Sequence, residues 1–357
     1  MNIANDIFSK RLRQARIKAR LSMDELCQRL NGLVTKQAIS KYEAAKMLPS
    51  STITIALAEA LGVEQDYFYR QFAFDIDAFQ VSFRKKYNVG KKDVEALKVQ
   101  IQDEVERYLE IEEILDEKRE LLSCVPPTCI KNVSDAEQYA RQLRKDWQLG
   151  KGCIANVLEL LEAHGVKVVA TDAPDGFDGL SGILNEKHYI IVLNSSKSHI
   201  ERRRLTAMHE LGHLLQNSHF APDLSQHDKE KQCNAFASEM LLPSDVLSEA
   251  FDGKRNISAT ELVNIGTKFG ISADAVIMKL HEMGLVSDKR YRGYCVYKNK
   301  DNGFKNYVEQ THFIESFPNN FENMVCSALA QRLITESKAA SLLCTSISKI
   351  RNNTKVI

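Results

Sequence analysis

No two of the eight cysteines are spaced as a CxxC pair. They stand at 27, 124, 129, 153, 233, 295, 326 and 344, which disfavours both a zinc ribbon and a disulfide scaffold. No apolar run approaches the roughly 18–20 residues that span a bilayer. The first residues, MNIANDIFSKRLRQAR, lack the apolar core of a signal peptide. Net charge is also nearly absent: 48 Lys and Arg stand against 47 Asp and Glu, giving +1. Taken whole, that balance argues against a strongly basic nucleic-acid binder. These absences predict a cytoplasmic protein with reduced thiols and no membrane partner.

What is present is length and apolar mass. At roughly 100–200 residues per domain, 357 residues predict two or three domains. Apolar residues make up 44% of the chain and charged residues 27%, enough for real cores and too much for a disordered chain. The near-zero charge is also uneven. Residues 1–70 carry 11 Lys/Arg and 7 Asp/Glu, whereas residues 102–120 carry 3 against 9. Charge has to be read by segment.

The first 70 residues read as short helices. Ile7, Leu12, Ala15 and Ile17 suggest an amphipathic helix. Ser22 with Glu25 makes a capping box for a second helix that carries Leu26 and Leu30. Asn31-Gly32 marks a turn, and Thr35 is placed to cap a third helix, TKQAISKYEAAK. Pro49-Ser50-Ser51 opens a fourth, which Gly62 stops.

Residues 91–122 predict one long helix. Val94, Leu97, Ile101, Tyr108, Ile111 and Leu115 form a heptad-like stripe that Glu104 interrupts. Such a stripe packs on its own protein or pairs two copies. Val125-Pro126-Pro127 marks a domain boundary. A mixed segment follows: a helix ending at Gly165, the strand VKVVA, and the runs GLSGIL and HYIIVLN joined at Asn185–His188 as a hairpin. HYIIVLN is either an edge strand, where an extended peptide can add a strand, or an ordinary paired strand. Helices are expected from about 200 to 217, 228 to 242, 321 to 334 and 336 to 350, and residues 258–286 read as two helices around a Gly270-Ile-Ser272 turn. No long repeat is evident.

The sharpest chemical signal is His209-Glu210-Leu211-Gly212-His213. Positions i and i+4 of a helix share one face, so two imidazoles can bind one zinc ion at about 2.0–2.1 Å. Glu210 falls beside them, placed to take a proton from the attacking water. A catalytic zinc needs a third protein ligand. Three candidates lie downstream. Glu230 would share a helical face with Cys233, Asn234 and Ala237. His219 follows His213 by six residues. Glu239 lies on a different face from Glu230.

Residues 178–243 resemble the ImmA/IrrE family of metallopeptidases. The resemblance rests on DGLSG (178–182), IIVLN (190–194), RRRLTAMHELGHLL (202–215) and EKQCNAFASEMLLP (230–243). It extends more loosely from Ile154 to Val286. It implies a zincin-like domain with one Zn2+ per chain held by His209, His213 and Glu230, and with Glu210 as general base. Many relatives have Glu where this chain has Gln232, so the ligand is transferred to the acidic residue three before Cys233.

Residues 9–66 resemble the Cro/C1-type (XRE) helix-turn-helix family, through RLRQARIKARLSMDEL and VTKQAISKYEAAKMLPSSTITIALAEALGV. The resemblance implies a double-stranded DNA operator as partner, with Lys36, Gln37, Ser40 and Lys41 facing it. Gln37 can pair with adenine, and Lys36 or Lys41 can reach guanine or phosphate. Tyr42 and Glu43 correspond to structural positions. The turn between Leu26 and Thr35 is about two residues longer than the common pattern. A homodimer would double the charge offered to DNA and read two half-sites.

The expected fold is multidomain α+β. Residues 1–72 form an all-α helix-turn-helix domain, 73–125 a helical linker able to dimerise, and 126–290 a zincin-like peptidase domain, of which 258–286 are a helical tail that lacks a basic recognition helix. Residues 291–357 form a mostly helical C-terminal region. The expected function is a DNA-binding regulator with a zinc endopeptidase domain that cleaves a repressor-type protein or a toxin. The alternative is a regulator whose peptidase-derived domain senses a ligand or partner without cutting.

Overall fold

The computed structural model describes residues 3–74, 90–117, 129–197, 199–251, 256–310 and 313–353. The chain divides into two compact units: Met1–Lys118 together with Asn319–Ile357, and Arg119–Pro318. The Val125-Pro126-Pro127 boundary lies outside the described residues.

The first unit begins with α1 (Ile3–Lys18), α2 (Met23–Arg29), α3 (Lys36–Glu43), α4 (Ser51–Leu61) and a short 3-10 helix, Gln65–Tyr69. The caps follow from the sequence. Ser22 Oγ accepts from the Glu25 amide at 3.2 Å, and Glu25 accepts from the Ser22 amide at 2.6 Å. Thr35 caps α3 through the Ala38 amide. Between α2 and α3, Asn31 and Gly32 adopt left-handed φ values of 51° and 75°. Two consecutive left-handed residues, which Asn and Gly tolerate best, absorb the longer turn. Phe8, Leu12, Leu26, Ile39, Leu57 and Phe68 close the core without exposed surface.

Helix α5 (Lys91–Leu115) stops at Asp116, in a left-handed conformation, short of the expected end at 122. Within this stripe Leu97, Ile101, Tyr108 and Ile111 are buried, while Val94 and Leu115 at its ends are half-buried. Its acids bind cations of α1: Asp103 meets Lys18 at 2.6 Å and Glu106 meets Arg11 at 2.7 Å. Arg11 is only 1% exposed, and a buried charge without a partner costs several kcal/mol, on the order of 3–5. Part of the charge cancellation seen in the sequence is therefore direct ion pairing.

The second unit contains α6 (Val133–Asp146), α7 (Val157–Ala163), β1 (Val166–Thr171), β2 (Gly179–Leu184) and β3 (His188–Asn194). Helices α8 (Ile200–Gln216), α9 (Gln226–Leu241), α10 (Ser244–Phe251), α11 (Ala259–Phe269), α12 (Ala273–Glu282), α13 (Asp288–Lys300) and α14 (Asn302–Val308) complete it. The sheet order is β1-β3-β2, with β1 parallel and β2 antiparallel to β3. The strand HYIIVLN is therefore central, the ordinary paired strand of its two readings rather than the edge. Its run Ile190–Leu193 is fully buried, as a strand covered on both faces requires. The edge beside it is β2. Asn185 and Glu186, at φ 50° and 59°, make the tight reversal between them.

Two buried ion pairs brace this unit. Arg204 on α8 pairs with Glu315, both side chains fully covered, and Glu315 also accepts from the amides of Val157 and Leu158. Glu239 on α9 pairs with Lys279 on α12 at 2.6 Å. Burial alone would raise the Glu239 carboxyl. Lys279 and the bonds from Ser244 outweigh that and hold it below its ordinary value.

The chain then returns to the first unit with α15 (Asn320–Ala330), α16 (Glu336–Leu342) and α17 (Ile347–Asn353). The stretch 336–350, expected as one helix, breaks after Leu342, and Cys344 adopts φ 50°. Met324, Val325, Ala328, Ala339 and Ile350 bury themselves with Tyr108 and Ile111 of α5. The sequence-read C-terminal region thus contributes to both units. Tyr291, Phe304 and Val308 join the core of the second, and α15–α17 join the first.

Candidate metal centre and candidate DNA-reading face

His209 and His213 lie one turn apart on α8, with rings nearly perpendicular at 77° and centroids 4.7 Å apart. Their Nε2 atoms stand 3.0 Å from each other. Glu230 of α9 faces both, at 3.2 Å from His209 Nε2 and 3.4 Å from His213 Nε2. Among the described residues, these three form the one group of three His, Cys, Asp or Glu side chains whose ligand atoms all lie within 4.8 Å.

The two helices meet closely because of Gly212. A Cβ at that position would stand 3.1 Å from Phe236 Cδ1 and 3.4 Å from Cys233 Cα. The glycine inside the histidine pair thus sets how near α9 can bring its carboxylate.

Each reactive side chain has a second residue behind it. Asn234 Oδ1 lies 2.7 Å from His209 Nδ1. An amide oxygen only accepts, so this Nδ1 carries a proton, and in the neutral ring the Nε2 lone pair then faces Glu230. Cys233 Sγ lies 3.4 Å from His213 Nδ1 and occupies the same position behind the second ring. Ser181 of β2 donates to Glu210 Oε2 at 2.7 Å. Glu210 and His209 are buried at 7% and 8% exposure. Lone pairs gathered at this separation repel unless a cation lies among them. Two imidazoles and a carboxylate are a donor set that suits zinc. The residues present therefore fit a metal ion.

The other expected ligand candidates are placed differently. Glu239 is fully buried and engaged by Lys279, Arg141 and Ser244. His219 sits in the turn after α8 beside Ser218. Gln232 is buried, and Glu230 supplies the carboxylate that meets the histidines. Helical spacing puts Cys233 and Asn234 on the Glu230 face, and the fold adds that both reach the backs of the rings. The roles of Ser181 and Gly212 follow only from the packing of β2 and α9 against α8.

On the first unit, Lys36, Gln37, Ser40 and Lys41 are all exposed on α3. Lys36 leans on Asp24 of α2 at 2.6 Å, a solvent-exposed pair of little fixed strength. Behind them, Ile39 and Tyr42 enter the core. Glu43 accepts two bonds from Arg16, at 2.6 and 2.8 Å, and its hydrogen bond holds the guanidinium above its ordinary pKa. The polar face is thus carried on a rigid support.

Comparison with protein families follows the same division. Residues 12–68 match the helix-turn-helix family, and residues 161–281 match the IrrE N-terminal-like domain, a peptidase family. No curated protein matches the chain. The chain therefore joins a helix-turn-helix domain of DNA-binding type to an IrrE-like peptidase-family domain. Among the described residues, no helix is long and apolar enough to cross a membrane.

Proposed function

We propose that the IrrE-like domain is a zinc-dependent endopeptidase that cleaves a repressor-type or partner protein, and that α3 brings this activity to an operator. The observation that carries this reading is the convergence of His209, His213 and Glu230 with Glu210 held beside them by Ser181.

His209, His213 and Glu230 would hold the ion. When bound in such a set, zinc polarises a carbonyl and lowers the pKa of water. Glu210 takes a proton from the attacking water and returns it to the leaving amine. The Ser181 hydroxyl keeps one carboxylate oxygen fixed, so the other faces the reacting atoms. Edge strand β2 offers its outer side to an extended substrate, and the pairing brings a peptide bond past Ser181 and Glu210. Lys36, Gln37, Ser40 and Lys41 make the operator contacts.

Glu210→Gln tests the assignment. Cleavage of the substrate, sought among candidate repressors and the products of neighbouring genes, falls by roughly 100- to 10,000-fold. Zinc content of the purified variant stays at that of the parent. Undiminished cleavage in this variant would overturn the catalytic role. A metal-loaded parent that cuts no candidate would favour a sensing domain.

A further inference from the structure

We propose that α16 and α17 form a second helix-turn-helix in the same chain, and that α17 reads duplex DNA. Side-chain identity hides this relation to α2–α3, but the backbone shows it bond by bond. The Lys338 amide donates to Thr335 Oγ1 at 3.1 Å, as the Glu25 amide donates to Ser22 Oγ at 3.2 Å. At the end of α16 the Cys344 and Thr345 amides donate to the carbonyls of Ser341 and Ala340. At the end of α2 the Asn31 and Gly32 amides donate to Gln28 and Cys27. Cys344 and Asn31 share a left-handed φ, 50° and 51°. Ser346 then caps α17 through the Lys349 amide at 3.3 Å, as Thr35 caps α3 through the Ala38 amide at 3.2 Å. The turn here is two residues shorter than that between α2 and α3.

Burial follows the same pattern. Ala339 takes the place of Leu26 and Ile350 that of Ile39, and all four are buried. The positions of α3 that carry Lys36, Gln37, Ser40 and Lys41 correspond on α17 to Ile347, Ser348, Arg351 and Asn352. All eight are exposed.

The pair α11–α12 provides an internal contrast. It also turns at a left-handed residue, Gly270, and its second helix is capped by Ser272. At the corresponding positions, however, α12 has buried Ala273 and Ile277, together with acidic Asp274. That second helix is core. On α17 only Ile350 is buried among the positions described.

The chemistry suits a duplex. Residues 319–357 carry five Lys/Arg against two Asp/Glu, a surplus close to that of residues 1–70. Arg351 presents the fork that fits guanine O6 and N7. Asn352 fits adenine N6 and N7, and exposed Lys349 reaches phosphate. Arg351 meets Glu336 at 2.7 Å in an exposed pair, the kind of contact that yields to a phosphate or a base. Both readers belong to one unit, so a single chain offers the two reading helices that a simple helix-turn-helix obtains by dimerising.

The full-length protein is used to enrich duplexes from a random-sequence pool, and affinity is then measured at several salt concentrations. Lys349→Gln with Arg351→Gln lowers affinity by roughly 10- to 100-fold and reduces the salt slope by about 1–2. Ser348→Ala with Asn352→Ala enriches duplexes that have lost specified bases at one end only. Gln37→Ala with Ser40→Ala changes the other end. All these positions are exposed, and an unchanged circular dichroism spectrum confirms the fold of each variant. If a glutamine variant loses helical signal, Lys349→Arg with Arg351→Lys takes its place and is expected to keep the salt slope while altering the selected bases. Affinity, slope and selected sequence that respond only to the α3 variants would overturn the second reader. Enrichment of no duplex would overturn both readers.

Discussion

On α8 and α9, each polar atom turned toward the candidate metal position has another residue behind it. Asn234 and Cys233 back the rings, and Ser181 holds the carboxylate of Glu210. On α3 the polar side chains stand in water, and Lys36 has only an exposed partner, Asp24. A metal centre needs lone pairs at fixed separations, so its rotamers are set before the ion arrives. A DNA face exchanges water for bases and phosphates, so rigidity is needed in the helix rather than in the side-chain tips. The same contrast separates two glutamates of α9. Glu239 is sealed against Lys279 and stabilises the fold, whereas Glu230 lies half-buried before two histidines. The two residue types are identical, and the surroundings decide what each does.

The largest test of this contrast concerns the sealed charges. Glu315→Gln leaves Arg204 buried without its counter-ion and is expected to cost about 3–5 kcal/mol in the unfolding transition of the peptidase-type unit. Lys36→Ala, at an exposed pair, is expected to cost at most about 1 kcal/mol. Equal costs in denaturant titrations would break the distinction between the two regions.

A smaller effect is expected behind the metal ligands. Asn234→Ala should weaken zinc binding by roughly 10- to 100-fold in competition with a chromophoric chelator, while Asn234→Asp preserves it. Unchanged affinity in the alanine variant would mean that packing alone orients His209.

The smallest effect is electrostatic. Burial, helped by Lys167 and Lys187, pushes the His188 pKa down to about 4. The unfolded chain takes up this proton near 6.5, whereas the folded chain resists until about 4. The stability contribution is therefore complete above pH 6.5 and is lost as pH falls toward 4. His188→Gln should flatten that part of a stability-against-pH curve. An unaltered slope would assign the loss to other groups.

Much of this organisation was legible in the residues. Ser22, Thr35 and Gly62 announce helix ends through local bonding, and His209 and His213 announce a shared face through periodicity alone. The position of β3 was legible too, since of its two readings the unbroken apolar run favours the paired strand, buried on both faces. Other features depend on distant parts of the chain. Nothing near Ser181 in the sequence tells that β2 passes beside Glu210, and nothing near Glu315 tells that it closes over Arg204. The break at Cys344 was hidden because a left-handed cysteine carries none of the glycine signal that marks Gly62 and Gly270. The likeness of α16–α17 to α2–α3 resides in caps and carbonyl partners, which tolerate almost any side chain away from the few core positions.

The order of the two units along the chain has a topological consequence. Arg119–Pro318 is an insertion: the backbone leaves the first unit before it and re-enters afterwards. A single scission at either crossing therefore yields two polypeptides that stay clasped, because α15–α17 remain interlocked with α5 through Met324, Val325, Tyr108 and Ile111. A nick on one side would appear as two bands on a denaturing gel, while the two pieces co-elute under native conditions.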